Sequence, residues 1–193
     1  MDNVFYLVKL FSVLWIFLLV LLLLFGQPTE NDRETKDKST YFIAITLSPF
    51  LVTIQYLTGN FEYSTITLYQ FGFPYLNYVG FLVIVLGLVV HASGMWALRS
   101  EWTVYIKITD KSKLVQRGIF KMIRHPIYCG LILELTGFCI ALSNWISFIV
   151  ILCPNLVSIL YRMKSEENAL INRFGNEYLK YMATTKRFIP FIV

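Results

Sequence analysis

The sequence contains few charged residues and no repeated pattern. Only 15% of its 193 residues are Asp, Glu, Lys or Arg, whereas 56% are hydrophobic. This composition excludes an ordinary soluble domain, which carries more charge and less apolar surface. The chain also has no internal repeat, low-complexity tract or Gly/Ser-rich linker. We therefore expect a single membrane domain over residues 1–193.

Cysteine is scarce as well, and its positions exclude two common kinds of site. Cys129, Cys139 and Cys153 lie inside apolar stretches, with no Cys-x-x-Cys or other metal-binding spacing. The sequence therefore predicts neither a metal site nor a disulfide framework. We interpret the three cysteines as small buried hydrophobic residues.

Long apolar stretches predict five membrane-spanning helices. They cover residues 4–25, 41–57, 76–98, 126–142 and 145–163. A signal peptide is the alternative for the first stretch, but Asp2, the length of the run and the lack of an A-x-A-like cleavage site favour a span. The second stretch is near the lower limit of about 17 residues, and Pro49 and Gln55 suggest a kink or shielding by neighbouring helices. Only Ser143 and Asn144 join the last two spans, so these should form a tight antiparallel hairpin.

The basic residues predict the orientation of these spans. Sixteen of the 17 Lys and Arg residues lie in residues 27–40, in residues 99–124 or after residue 161. With five spans, these segments share one side, which should be cytoplasmic, with the amino terminus outside. Lys9 is the exception and can reach the interface with its long side chain. We expect a multi-pass protein, in the cell membrane if the source is a prokaryote. Because the net charge of +5 lies in loops between spans, no nucleic acid partner is predicted.

The sequence Arg124-His125-Pro126-Ile127-Tyr128 opens the fourth predicted span. Proline fits the first turn of a helix and disfavours helical geometry in the residue before it. His125 should therefore be the N-cap, with Tyr128 in the first turn. The N–H groups and dipole of such a helix start favour an anion.

The end of the fifth span should lie beside this helix start, because the two spans form a hairpin. Arg162 and Glu166 are four residues apart and face the same way on a continuous helix, and Glu167 follows. The alternative is an ion pair at a helix end, which contributes little. Beyond it, apolar residues at positions 170, 174 and 178 predict an amphipathic helix that Gly175 bends or breaks.

Two ionisable residues fall within predicted spans. Glu134 is in the fourth span and should point away from His125, and His91 is in the third. Ionisable residues inside a membrane are candidates for function. A neutral residue that is hydrogen-bonded within the helix bundle is the alternative for each.

Four sequence motifs in the second half of the chain occur together in one known family. They are Gly118-Ile119-Phe120, Arg124-His125-Pro126-x-Tyr128-x-Gly130, Glu166-Glu167-x-x-Leu170-x-x-x-Phe174-Gly175-x-x-Tyr178-x-x-Tyr181, and Arg187-Phe188-Ile189-Pro190. In this order and spacing they resemble the isoprenylcysteine carboxyl methyltransferase family and its prokaryotic relatives. The wider group includes phospholipid N-methyltransferases. The resemblance covers about residues 102–193, and the first two spans carry none of these motifs.

The resemblance implies an all-α integral membrane methyltransferase that uses S-adenosylmethionine without a Rossmann domain or a metal. It implies five spans, a C-terminal cytoplasmic amphipathic helix and a cofactor site in residues 102–193, with S-adenosylhomocysteine as product. Arg162 and Glu167 would be the catalytic residues. The residues implied as cofactor contacts are Lys113, Leu114, Val115, Gly118, Phe120, Arg124, His125, Tyr128 and Glu166.

The reaction implied is O-methylation of the carboxylate of an isoprenylcysteine-like or other hydrophobic substrate. A carboxylate is already deprotonated at neutral pH and needs no general base. The substrate would arrive from the bilayer, among membrane lipids, and the cofactor from water. Two alternatives stay open: methylation of a phospholipid or other amine by the same fold, and a non-catalytic membrane scaffold.

Overall fold

A computed structural model describes residues 75–99, 112–142 and 148–188. Four α-helices are found there: α1 (Leu76–Leu98), α2 (Pro126–Leu142), α3 (Cys153–Phe174) and α4 (Asn176–Thr184). A 3-10 helix (Gly118–Lys121) precedes α2, and a π-helical turn (Phe148–Leu152) leads into α3. These ranges contain no sheet, so the predicted all-α class is confirmed for this part of the chain.

The third and fourth predicted spans have the same bounds as α1 and α2. Within the described ranges, α1 is the one helix that is long and apolar enough to cross a membrane, and the apolar part of α2, Pro126–Ala141, is shorter. The predicted spans at residues 4–25 and 41–57 lie outside the described residues. The count of five spans therefore stays a prediction.

Glycines bring the backbones of α1 and α2 into direct contact. The buried residues of α1 recur every three or four positions, and Gly80, Gly87 and Gly94 are among them. A Cβ atom on Gly87 would lie 2.8 Å from the carbonyl oxygen of Gly130, and one on Gly80 would lie 2.5 Å from the backbone nitrogen of Ala141. The backbone atoms of the facing helix cannot move aside as the end of a flexible side chain could. The seam therefore requires residues without a Cβ, as in closely packed membrane helices.

The opposite face of α1 is apolar and exposed. Its large exposed residues are Tyr78, Val79, Leu82, Val85, Leu86, Val89 and Trp96. A helix with one buried seam and an apolar outer surface suits contact with lipid chains, which agrees with the predicted span.

The hydrophobic core joins α2 to α3. Leu135 and Phe138 of α2 pack in one cluster with Ile159 and Met163 of α3. Of the three cysteines predicted to be buried, Cys139 is buried in this cluster, Cys129 is half-buried, and Cys153 is exposed; all three are free thiols. The prediction for Cys153 is therefore wrong: it begins α3, on a face that the described helices do not cover.

Helix α3 runs unbroken past the end of the fifth predicted span, over 22 residues. It stops at Gly175, whose φ of 52° is one that glycine adopts without a Cβ penalty and whose N–H donates to Ile171. The predicted break at Gly175 is confirmed. The turn at Gly175 lets α4 fold back so that Tyr178 and Tyr181 are buried.

Candidate functional site

The start of α2 has the predicted geometry. The carbonyl of His125 accepts the N–H of Cys129 at 2.9 Å, the bond that opens the helix, and Pro126 is its first residue. His125 and Tyr128 are both buried, and their rings lie 5.7 Å apart. His125 is therefore the N-cap and Tyr128 lies in the first turn.

A short segment after α4, residues 185–187, runs beside this helix start, and we call it the strap. The N–H of Arg124 donates to Lys186 O at 2.7 Å, and the N–H of His125 donates to Arg187 O at 3.2 Å. These two amides are therefore used by the chain itself and are not free to bind an external anion. The expectation of an open anion site is corrected in this respect: the amides of Arg124 and His125 are already hydrogen-bonded within the protein.

The carboxylate of Glu167 fills the space in front of the helix start. Its Oε1 accepts hydrogen bonds from Arg124 Nε, His125 Nε2 and Arg187 Nε, each at 3.2 Å, and its Oε2 accepts one from Arg187 Nη2 at 2.7 Å. Burial raises the pKa of Glu167, but hydrogen bonds from His125 and Arg187 outweigh it and lower that pKa to about 2. Glu167 is therefore ionised at neutral pH, and His125 must carry its proton on Nε2 to donate to it.

Arg124 is held from a second direction. Its Nη1 donates to Met182 O at 3.0 Å and also to Thr185 O. These carbonyls lie at the C-terminal end of α4, where a cation is favoured. Arg124 thus joins Glu167 of α3 to the end of α4 and the strap.

A second hydrogen-bonded chain runs beside the first. The Nε of Arg162 donates to the hydroxyl oxygen of Tyr128 at 2.9 Å, and that hydroxyl donates to Glu166 Oε2 at 2.9 Å. Arg162 is buried and Glu166 is half-buried. Glu166, rather than Glu167, is therefore the carboxylate linked to Arg162. The two chains together form what we call the paired-glutamate cluster: Arg124, His125, Tyr128, Arg162, Glu166, Glu167 and Arg187.

The remaining predicted cofactor residues lie outside the paired-glutamate cluster. Lys113, Leu114 and Val115 are in a segment without regular secondary structure and are exposed or half-buried. Gly118 has a φ of 59° and begins the 3-10 helix, and Phe120 is buried with its carbonyl accepting the hydroxyl of Tyr181 at 2.7 Å. Their contact with a cofactor stays a prediction. Within the described ranges no three His, Cys, Asp or Glu residues could jointly hold a metal ion.

Two features of the structure were not predicted. Arg187 was recognised as part of a motif but given no role, although it is a cation that the strap brings back to α2. His91 and Glu134 were treated separately, yet His91 Nδ1 lies 2.9 Å from Glu134 Oε1. The sequence contained a signal for this pair. His91 lies seven residues before the end of α1, and Glu134 lies eight residues after the start of α2. Antiparallel helices therefore place them at one depth.

The helical fold is similar to that of a solved membrane protein. The solved structure of the eukaryotic intramembrane Ras methyltransferase ICMT superposes with a TM-score of 0.62 and 22% identity, covering 87% of this chain and 59% of that chain. The class defined by the fold is thus an all-α protein that resembles the ICMT membrane architecture.

The sequence comparisons point to the same family. Residues 78–172 match the model of the isoprenylcysteine carboxyl methyltransferase (ICMT) family. The resemblance found in the motifs is confirmed.

Named relatives differ in how much of their length is matched. Protein-S-isoprenylcysteine O-methyltransferase A of Arabidopsis thaliana is 27% identical over 157 residues, which is 77% of this chain and 80% of the plant protein. The protein-S-isoprenylcysteine O-methyltransferase of Mus musculus is 30% identical over 120 residues, which is 61% of this chain and 42% of the mouse protein. The chain therefore spans most of the plant relative but less than half of the mouse one.

Proposed function

We propose that this protein is an S-adenosylmethionine-dependent methyltransferase that methylates the carboxylate of an isoprenylcysteine-like or other hydrophobic substrate. The observation that carries the proposal is the paired-glutamate cluster, which brings residues of three of the four family motifs together where the start of α2 meets the middle of α3. The names of the relatives support the same reaction. In this proposal the cluster is at the cytoplasmic face of a multi-pass protein whose amino terminus is outside.

The chemistry of the cluster fits the polar end of the proposed cofactor. That end carries a carboxylate, an ammonium and ribose hydroxyls. The cluster offers the exposed Arg187 on one side and the half-buried Glu166 on the other, so both signs of charge are available within one site. When bound, S-adenosylmethionine supplies a methyl group that its sulfonium already activates.

The protein's part in such a reaction is mainly orientation. The guanidinium of Arg162 is buried, and its bond to Tyr128 fixes its plane. A fixed guanidinium can align a substrate carboxylate through two parallel hydrogen bonds. Exclusion of water and alignment of the reacting groups then supply much of the rate. Glu167, which the resemblance implies to be catalytic, would act by holding Arg124 and His125 in place.

Methyl transfer to defined acceptors tests the proposal. The protein in detergent micelles would be incubated with methyl-labelled S-adenosylmethionine and either N-acetyl-S-farnesylcysteine or phosphatidylethanolamine. We expect label in the farnesylcysteine product that mild base releases, as for an ester. Label that resists base in the phospholipid would instead support amine methylation.

Substitution of Arg162 links the activity to the site. Arg162→Lys keeps the charge but loses the planar fork, and should reduce the rate about 10–100-fold. Lys164→Ala is the matched control, since Lys164 is exposed two residues along the same helix. Failure of wild-type protein to bind the cofactor, or equal rates for Arg162→Lys and wild type, would refute the proposed role.

A further inference from the structure

Tyr178 has a buried hydroxyl group that its surroundings do not satisfy. Its side chain is among the largest that are fully buried, with 1% of the residue exposed. The hydroxyl has no hydrogen-bond partner among the residues that the structure describes. Buried polar groups are nearly always paired, because an unpaired one loses its bonds to water without replacement.

The neighbouring tyrosine, Tyr181, has a buried hydroxyl that does find a hydrogen-bond partner within the protein. Tyr181 lies on the same helix, with its ring 5.8 Å from that of Tyr178. Tyr181 is also buried, yet its hydroxyl donates to Phe120 O at 2.7 Å. The two rings therefore differ in one respect that matters here: one hydroxyl is bonded to the protein and the other is not.

The hydroxyl of Tyr178 is close enough to the paired-glutamate cluster for the charges of the cluster to act on it. Burial raises its pKa, the charges of Glu167 and Glu166 raise it further, and Arg124 lowers it. The phenol therefore stays protonated at neutral pH and is available as a hydrogen-bond donor. Glu167 does not need this donor, because its two oxygens already accept four hydrogen bonds.

The charges of the cluster indicate which ligand group suits this donor. Arg124, Arg162 and Arg187 are permanent cations, whereas Glu166 and Glu167 are the anions, so three positive charges face two negative ones. At least one positive charge of the cluster is therefore uncompensated. An incoming carboxylate would balance it, and a phenol O–H donates well to a carboxylate.

We propose that Tyr178 is a ligand contact, whose hydroxyl donates a hydrogen bond to a carboxylate of a bound ligand. The inference rests on the proposed function, which offers two sources of that group: the amino-acid end of S-adenosylmethionine and the carboxylate of the methyl acceptor. The family motif contains this tyrosine, but the reason for assigning it is its unsatisfied hydroxyl beside a cluster of net positive charge.

The test is Tyr178→Phe, with Tyr181→Phe as the matched control. Each change removes one hydroxyl and keeps the ring. In the ligand-free protein, Tyr178→Phe should leave the melting temperature unchanged or raised, because no internal hydrogen bond is lost. Tyr181→Phe should lower it, because Phe120 O loses its donor. A melting temperature that falls for Tyr178→Phe, or a variant that does not fold, would show that the hydroxyl has a partner within the protein and would overturn the proposal.

Binding to ligands with and without the carboxylate identifies its source. If the cofactor is the source, Tyr178→Phe should weaken S-adenosylmethionine binding at least about tenfold and leave decarboxylated S-adenosylmethionine unaffected. If the acceptor is the source, the same contrast should appear between N-acetyl-S-farnesylcysteine and its methyl ester, measured as inhibition constants.

The remaining outcomes refute the inference or the proposed function separately. Unchanged affinity for both carboxylates, or an equal loss for the carboxylate-free analogues, would overturn the role of Tyr178 while the proposed function stands. Wild-type protein that binds neither S-adenosylmethionine nor its decarboxylated form would refute the proposed function itself.

Discussion

Loss of charge should have different effects at the two adjacent glutamates of α3. Glu167→Gln leaves Arg124, His125 and Arg187 without a counter-charge and places an amide N–H₂ where four donors now converge. Removing one partner of a buried ion pair costs about 3–5 kcal/mol. We expect about 3 kcal/mol, because the side chain of Arg187 is 47% exposed and can turn to water, and because glutamine keeps one acceptor oxygen.

Glu166→Gln is the matched comparison. Glu166 is half-buried and accepts one described hydrogen bond, from Tyr128, which the amide oxygen of glutamine can still accept. The expected cost is below about 1 kcal/mol. The free energy of unfolding of each variant, from denaturant titration in one detergent, measures the difference. Equal losses for the two variants, or a loss below about 1 kcal/mol for Glu167→Gln, would refute the assignment of Glu167 as the centre of the charged cluster.

Three further results are expected from the same structure. The pKa of Glu167 is lowered from 4.5 to about 2, so ionised Glu167 stabilises the folded protein at pH values above 4.5. This stabilisation is lost as the pH falls from about 4.5 to 2. The free energy of unfolding of Glu167→Gln should therefore decrease less than that of wild type over this pH range. Gly130→Ala should destabilise by about 1–3 kcal/mol, because the new Cβ would lie 2.6 Å from the backbone nitrogen of His91; an unchanged melting temperature would contradict that contact. Glu134→Leu should cost about 1–3 kcal/mol by leaving His91 unpaired, whereas Glu134→Gln should stay close to wild type, and equal melting temperatures for the two would contradict the pairing.

The bounds of α1 and α2 could be predicted because local signals determine them. Each is an apolar run that charged or polar residues delimit, and Pro126 fixes the start of α2. The π-helical turn before α3 could not be predicted, because residues 148–152 are uniformly apolar and give no sign of their backbone geometry. Pro154, which lacks an N–H, lies two residues after the end of this turn. Helix α3 continues past residue 163 because no helix breaker occurs before Gly175.

Much of the paired-glutamate cluster could be predicted from motifs, but its pairing could not. Helical spacing alone placed Arg162 and Glu166 on one face, and both contact Tyr128 in the structure. The resemblance names Arg162 and Glu167 as the catalytic residues, which stays a prediction; the side chain of Glu167 points about 100° further around the helix than that of Glu166. Arg187 was missed as a partner because it reaches Glu167 only after α4 turns back at Gly175.

The glycine contacts between α1 and α2 would also limit the path of the lipid-anchored substrate that the proposed function implies. At Gly80, Gly87 and Gly130 the two backbones are so close that even a methyl group would overlap the opposite helix. A prenyl chain cannot pass between them unless the helices separate and lose this packing. In the proposed function, a substrate that arrives from the bilayer would therefore have to reach the site by a path other than between α1 and α2.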